Sequence, residues 1–425
     1  MLKRYVEIAE IRAREIIDSR GMPTIEVDVL VSDEGGQAYC GMASAPSDAE
    51  LCTPDEAELR DGGEHWNGFG IEKAAEGVNG EAADELCGMN ALDQVKVDLT
   101  LSELDKAGTK LGRNAVFAVS VAVAKAAAAA LRLPLFQHLG GVGARELPVP
   151  LVSLMSGCPG SEFRELMLVP MSAATFREAL RLCTEVYQGL SGVLANQGLA
   201  AVTCGDGAFI SSFSTTSEAI EAALRAIEAA GYGVEHDFML ALGRPNGITH
   251  MNPPPAEEIA ALYESLAKTY PIISVESGFG ESNWDGWRYI TERLGDNIQV
   301  AGGCLWASDE MRLMRGVGAA GAGAVIIKPG EAGTVTGVLD AIRHAQRRGI
   351  AVVISRRAGE TEDTALADIC VAAGAGQFKG GAPTRSDRAA KYNQLLRIEE
   401  ALGNTAMYVG AGAFARPRGM YPKDA

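Results

Sequence analysis

Ile272-Ile273-Ser274-Val275, Ile298-Gln299-Val300-Ala301, Ala324-Val325-Ile326-Ile327 and Ala351-Val352-Val353-Ile354 are short apolar runs with amphipathic helical patterns between them. They recur roughly every 25 residues, the length of one strand plus one helix. Repeated βα units over this length predict a closed parallel α/β barrel, with an open doubly wound sheet as the competing arrangement. No GxGxxG follows a strand and no GxxxxGK[ST] occurs, which counts against the nucleotide-binding open sheets.

Working outward, Phe176, Leu180, Cys183, Tyr187, Leu190 and Leu194 step by four and three along one helix face. Thr215-x-x-Glu218 reads as a capping box opening a helix that carries Ile220, Leu224 and Ile227, with Gly231 as its stop. Nearer the N-terminus the pattern changes. Ile25, Val27, Val29 and Val31 alternate with Glu26, Asp28 and Leu30, a period-two strand after the turn residues Asp18-Ser19-Arg20-Gly21. From about Glu103 to Leu133 the reading is helical, ending at Pro134. The expected organisation is an N-terminal α+β domain, residues 1–140, and an α/β barrel, residues 141–425.

Of 425 residues, 38 are basic and 55 acidic, a formal charge of −17, and 47% are apolar. That is a globular composition whose acidic balance argues against nucleic acid and anionic membrane as partners. Met1-Leu2-Lys3-Arg4-Tyr5-Val6-Glu7 has no secretory h-region, so a cytoplasmic location is expected. The apolar run Val116 to Leu133 is Ala-rich, broken by Lys125 and too short for a membrane span, and is read as a buried helix. The eight cysteines form no CxxC and the five histidines no HExxH, so the thiols are expected reduced and mostly buried, with no zinc site.

In a barrel, polar residues at the C-terminal strand ends face the active-site mouth. Glu276, Lys328, Arg356, Arg357 and Lys379 stand at such positions, and Glu165 and Asp206 come from earlier strand-end segments. A single charge there reads as a solvated loop residue. Several cations at successive strand ends read either as an anion site or as an ion-pair network closing the mouth.

Longer motifs add to this. Residues 13–27, Ala-Arg-Glu-Ile-Ile-Asp-Ser-Arg-Gly-Met-Pro-Thr-Ile-Glu-Val, resemble the opening signature of the enolase family. Glu58-Leu59-Arg60-Asp61-Gly62, Ala91-Leu92-Asp93-Gln94, the stretch Ser355 to Asp363 and the stretch Lys391 to Glu400 follow in the family's order. The resemblance implies a barrel with one strand running against the rest. It also implies dehydration of 2-phosphoglycerate to phosphoenolpyruvate with two magnesium ions holding the charge that builds up beside the substrate carboxylate. By the same resemblance Lys328 is the proton-abstracting lysine, Lys379 holds the substrate carboxylate and Arg357 the phosphate. Glu165 is one member of the acid pair, and Asp206 is the nearest match to its partner.

Several positions depart from the family pattern. Glu276 is one expected metal ligand, but Gly243 and Gly303 stand where the flanking carboxylates belong, with Cys304 beside Gly303. Glu50 replaces the serine of the closing loop, Arg356 the histidine before the phosphate arginine, and Gly330 and Glu331 an asparagine and a glutamine. One carboxylate cannot hold magnesium tightly. The expectation is therefore an enolase-like protein that dehydrates 2-phosphoglycerate poorly, or acts without metal on a small phosphorylated or carboxylate ligand. The alternative is a genuine magnesium-dependent enolase with substitute ligands. No tightly bound cofactor is expected, magnesium binding weakly at most, with Arg356 or Arg244 offered as a guanidinium replacing the metal beside Glu276. Arg14, Glu400, Glu26 and Arg397 match residues that bridge subunits in the family, so a homodimer or higher homo-oligomer is expected.

Overall fold

The structure, a computed structural model, describes residues 4–47, 58–106, 108, 110–159, 161–243, 255–276, 279, 283–303 and 323–414. The chain folds as two compact units: residues 1–144 with 328–341 and 356–373, and residues 145–327 with 342–355 and 374–425.

In the first unit, β1 (Val6–Ile17), β2 (Pro23–Asp33) and β3 (Ala38–Ser44) form an antiparallel sheet in that order. The alternation read from the sequence is the cause: Ile25, Val27, Val29 and Val31 are all fully buried. The single helix expected from Glu103 to Leu133 is instead two, α1 (Gln94–Leu104) and α2 (Arg113–Leu131). Asp105 Oδ1 breaks the run by accepting from the backbone N–H groups of Lys110 and Leu111, both at 3.0 Å. Gly112 then turns the chain at φ +77°, where any Cβ would meet Leu59 N at 2.5 Å. Helix α2 lies against β2 and β3. Its alanines let the sheet come close: a Cβ on Gly41 would sit 2.2 Å from the Ala122 carbonyl. By length and composition α2 would pass as a membrane span, but 83% of its most apolar window is buried.

The second unit is an eight-stranded closed barrel. Its strands are β4 (Val149–Ser156), β5 (Glu165–Pro170), β6 (Phe238–Leu242), β7 (Ile272–Glu276), β8 (Gln299–Gly302), β9 (Ala324–Ile327), β10 (Ala351–Ser355) and β11 (Gly376–Gly381). Pairing of Gln377 with Val149 and Phe378 with Pro150 closes it, so the open sheet is not the arrangement adopted. β5 runs antiparallel to both neighbours, and every other pair is parallel. A core of Val149, Leu151, Met167, Val169, Ala241, Ile273 and Phe414 fills one level. A buried amide ladder crosses between strands: Gln299 Nε2 donates to Ser274 Oγ (3.0 Å) and Gln377 Oε1 (2.9 Å), and Gln377 Nε2 returns a bond to Gln299 Oε1 (3.0 Å). These amides satisfy one another where no water could.

Two of the helices show how the local signals act. α3 (Phe176–Asn196) is capped by Thr175, whose side chain accepts from Glu178 N at 3.1 Å. Its buried face includes Phe176, Cys183, Leu190 and Leu194 but is centred nearer Ala179, Leu182 and Val186, leaving Leu180 and Tyr187 half-buried. α4 (Thr216–Ala229) is capped by Thr215, and Glu218 reaches back to Ser214 N (2.7 Å), one residue beyond the cap. Among the described cysteines Cys158, Cys183 and Cys370 are buried, Cys204 is half-buried, and Cys40 and Cys87 are exposed.

Candidate active site

The reversed strand β5 matters for chemistry. Parallel strands finish at the mouth, so an antiparallel neighbour begins there. Glu165, first residue of β5, pairs with Ser156 at the end of β4, while Glu276 is the last residue of β7 and Lys379 lies in the C-terminal half of β11 beside Ser355. These three side chains converge. Lys379 Nζ lies 2.7 Å from Glu165 Oε2 and donates a hydrogen bond to Glu276 Oε1. Ser153 Oγ donates to the other oxygen of Glu165. Burial alone would push the Lys379 ammonium down. Glu165 and then Glu276 outweigh it by attraction and hydrogen bonding, and hold the group above the ordinary lysine range.

Sequence reasoning assigned Lys379 to an incoming carboxylate. In the structure its ammonium is shared between two carboxylates of the chain itself, a cluster of net charge −1. A cation therefore stands beside Glu276. The described partner is Lys379, and Arg244 lies outside the described residues, as do Glu50 and Cys304.

Among the described residues the donor set does not fit a hard divalent ion. Gly243 follows β6 and Gly303 follows β8, on either side of Glu276, and neither offers an oxygen side chain. At Gly243 the backbone is packed so tightly on β5 that an added Cβ would fall 2.8 Å from Glu165 Cβ and 3.3 Å from Glu165 N and O. At Gly303 no described atom lies within 4 Å of an added Cβ. Among the described residues no group of three or more His, Cys, Asp or Glu could hold a metal. Magnesium wants near-octahedral oxygen coordination, and a carboxylate already bonded to an ammonium supplies little of it.

Tyr263, which sequence reasoning missed, braces this end of the barrel. Its buried hydroxyl donates to the Glu276 carbonyl (2.7 Å) with the Gly243 carbonyl also in range (3.2 Å), bridging β6 and β7, and burial pushes its ionisation well above the usual tyrosine range. Nothing in the sequence flags a tyrosine on the intervening helix for that task.

Asp206 sits in the turn of a short hairpin, Val202–Thr203 with Phe209–Ile210. Its Oδ1 accepts from Ala208 N (3.0 Å) and from the Cys204 thiol (2.7 Å). Burial first, then the Asp206 hydrogen bond, pushes the Cys204 thiol up to about 12, so it stays protonated.

The remaining cations belong to the first unit. Lys328 follows β9 and Arg356 and Arg357 follow β10. Arg357 is buried, its backbone N–H held by Glu360 Oε1 at 2.8 Å, while Arg356 is half-buried. The Arg357 guanidinium lies over Gly330, with Nη1 3.5 Å from where a Cβ would project. Lys328 has a carboxylate of its own: Nζ lies 3.3 Å from Glu331 Oε1.

Residues 8–139 match the family model described as Enolase, N-terminal domain, and residues 144–416 match that described as Enolase, C-terminal TIM barrel domain. With both models matched in order along nearly the whole sequence, and a closed barrel whose second strand alone is reversed, this chain belongs to the enolase family.

Proposed function

We propose that this protein holds a small phosphorylated or carboxylate anion and dehydrates 2-phosphoglycerate at least about 10³-fold more slowly than a competent enolase. That factor corresponds to roughly 4 kcal/mol of missing transition-state stabilisation. The observation that carries the reading is the Lys379 ammonium bonded to both Glu165 and Glu276, with glycine at 243 and 303. Removing a proton beside a carboxylate accumulates negative charge. Magnesium would screen it in the family's chemistry, and these residues do not form a site for it. A cluster already at net −1 cannot take over that screening.

Anion capture falls to the cations that follow β9 and β10. Arg357 is planar, permanently charged and suited to two-point contact with a phosphate. Arg356 and Lys328 add charge within the same unit. The overall charge of −17 means that attraction is local and weak at a distance. As a family member the protein is taken to act as a homodimer.

The test follows phosphoenolpyruvate absorbance with excess magnesium, beside an active enolase as control, and melting temperature with inorganic phosphate. Slow or absent turnover with a phosphate-dependent rise in melting temperature is the expected result. Turnover of ordinary enolase magnitude would overturn the reading and establish the substitute-ligand alternative.

A further inference from the structure

Glu331 is a buried carboxylate, its side chain 3% exposed, in the turn that follows Lys328. Its backbone N–H closes that turn on the Lys328 carbonyl at 2.8 Å, and Arg113 from α2 donates to the Glu331 carbonyl, fixing the turn from the other side. One carboxylate oxygen lies 3.3 Å from Lys328 Nζ, and the other is buried with no hydrogen-bond partner among the described residues. A carboxylate removed from water needs a compensating charge, and here the Lys328 ammonium lies within ion-pair range. Charged groups among the described residues near this turn include the guanidinium of Arg113 and that of Arg357 over Gly330, with Glu360 behind Arg357.

We propose that Glu331 is a positioning residue that keeps Lys328 protonated and oriented, so that Lys328 serves as an anion-holding ammonium rather than as a base. A lysine that abstracts a proton must first be neutral, and an adjacent buried carboxylate opposes that. The residue pattern agrees, since the family carries a glutamine at this position, which is neutral and places no such demand on the lysine. The inference rests on the anion-binding reading above but concerns the charge of one amine, and it is measurable without ligand or turnover.

The experiment is competitive trace labelling of the intact protein with acetic anhydride across pH, with the Lys328 peptide quantified by mass spectrometry. It compares wild type with Glu331→Gln, which keeps shape, and Glu331→Asp, which keeps charge at shorter reach. Expected is a wild-type labelling midpoint at or above that of an ordinary lysine. In Glu331→Gln the midpoint falls by at least about one pH unit, so labelling below it rises about tenfold. Glu331→Asp lies between the two. A wild-type midpoint already well below that of an ordinary lysine, or an unmoved midpoint in Glu331→Gln, would overturn the proposal, even if that variant is less stable. Failure of phosphate to bind would sink the anion reading and leave the labelling result standing, so the two failures are distinguishable.

Discussion

Lys379 is the residue on which the barrel mouth turns. It is buried, and removing its charge would take away the ammonium that both Glu165 and Glu276 contact. Lys379→Met is therefore expected to destabilise the protein by about 3–5 kcal/mol in urea unfolding at neutral pH, the range for breaking a buried pair from one side. The pH sign follows from the raised ammonium. Its stabilising contribution is complete below the unfolded lysine value of about 10.4, and is lost only as pH rises through the higher folded value. A loss of this term between pH 5 and 9 would contradict the assignment. The two glycines are not equivalent. Gly243→Asp forces a Cβ onto Glu165 and should cost about 1–3 kcal/mol, whereas Gly303→Asp meets no described atom within 4 Å of its Cβ and should stay within about 0.5 kcal/mol. Equal effects in thermal melts would show that the packing of β6 on β5 is not what excludes a side chain at 243. The types and positions of these residues were legible in the sequence, because strand ends announce themselves. Their pairing was not: Lys379 and Glu276 lie 103 residues apart, and no local pattern links them.

At the scale of elements, the helix α5 (Val335–Gln346) shows the same limit. Its own N-cap, Thr334, accepts from Gly337 N at 3.1 Å, but the N–H groups of its first two residues are met from elsewhere. Asp98 of α1 accepts from Thr336 N at 2.8 Å, and Ser120 of α2 accepts from Val335 N at 2.9 Å, so two helices far away in sequence satisfy its first N–H groups. Ser120 Oγ and Gln94 Nε2 both donate to Asp98 Oδ1, at 2.6 and 2.9 Å. Asp98→Ala should cost about 1–2 kcal/mol through loss of this cap, measured by denaturant unfolding. Burial raises the Asp98 carboxyl, against the pull of Ser120, Thr336 and Gln94. A raised carboxyl binds its proton more tightly when folded, so its contribution falls as pH rises from the unfolded value of about 3.9 through the folded one. Asp98→Asn should remove that slope, and an unchanged slope would reject Asp98 as its source. Strand β2 was legible because alternation is a strong local signal that packing reinforces. The interruption between α1 and α2 was not, because the Ala-rich run downstream has no competing period and the break depends on Asp105 folding back on Lys110 and Leu111.

At the scale of the molecule, the question is what the outer face of the β1-β2-β3 sheet does. An antiparallel sheet can face water on one side, so exposure alone decides nothing. The register sets Arg14 beside Glu26 and Ser44, and Arg12 beside Asp28 and Met42. Arg14 Nη1 lies 2.5 Å from Glu26 Oε1, and Nη2 bonds Asp28, so the arginine expected to bridge subunits is held by two carboxylates of its own chain. Met42 beside them is 53% exposed. A twofold contact must be self-complementary, and a strip carrying both signs around an exposed methionine meets that requirement when two copies are opposed. Light scattering at micromolar concentration should give a dimer. Arg14→Glu would set three like charges at one point, and should raise the dissociation constant at least about tenfold. Salt should weaken the wild-type dimer only modestly, because a pair already formed within the chain has less to lose to screening than one made solely across the interface. A monomer would reject the dimer outright. A dimer indifferent to Arg14→Glu would move the contact away from this sheet, and a dimer that falls apart with moderate salt would mean that Arg14 exchanges its own carboxylates for a partner's on association.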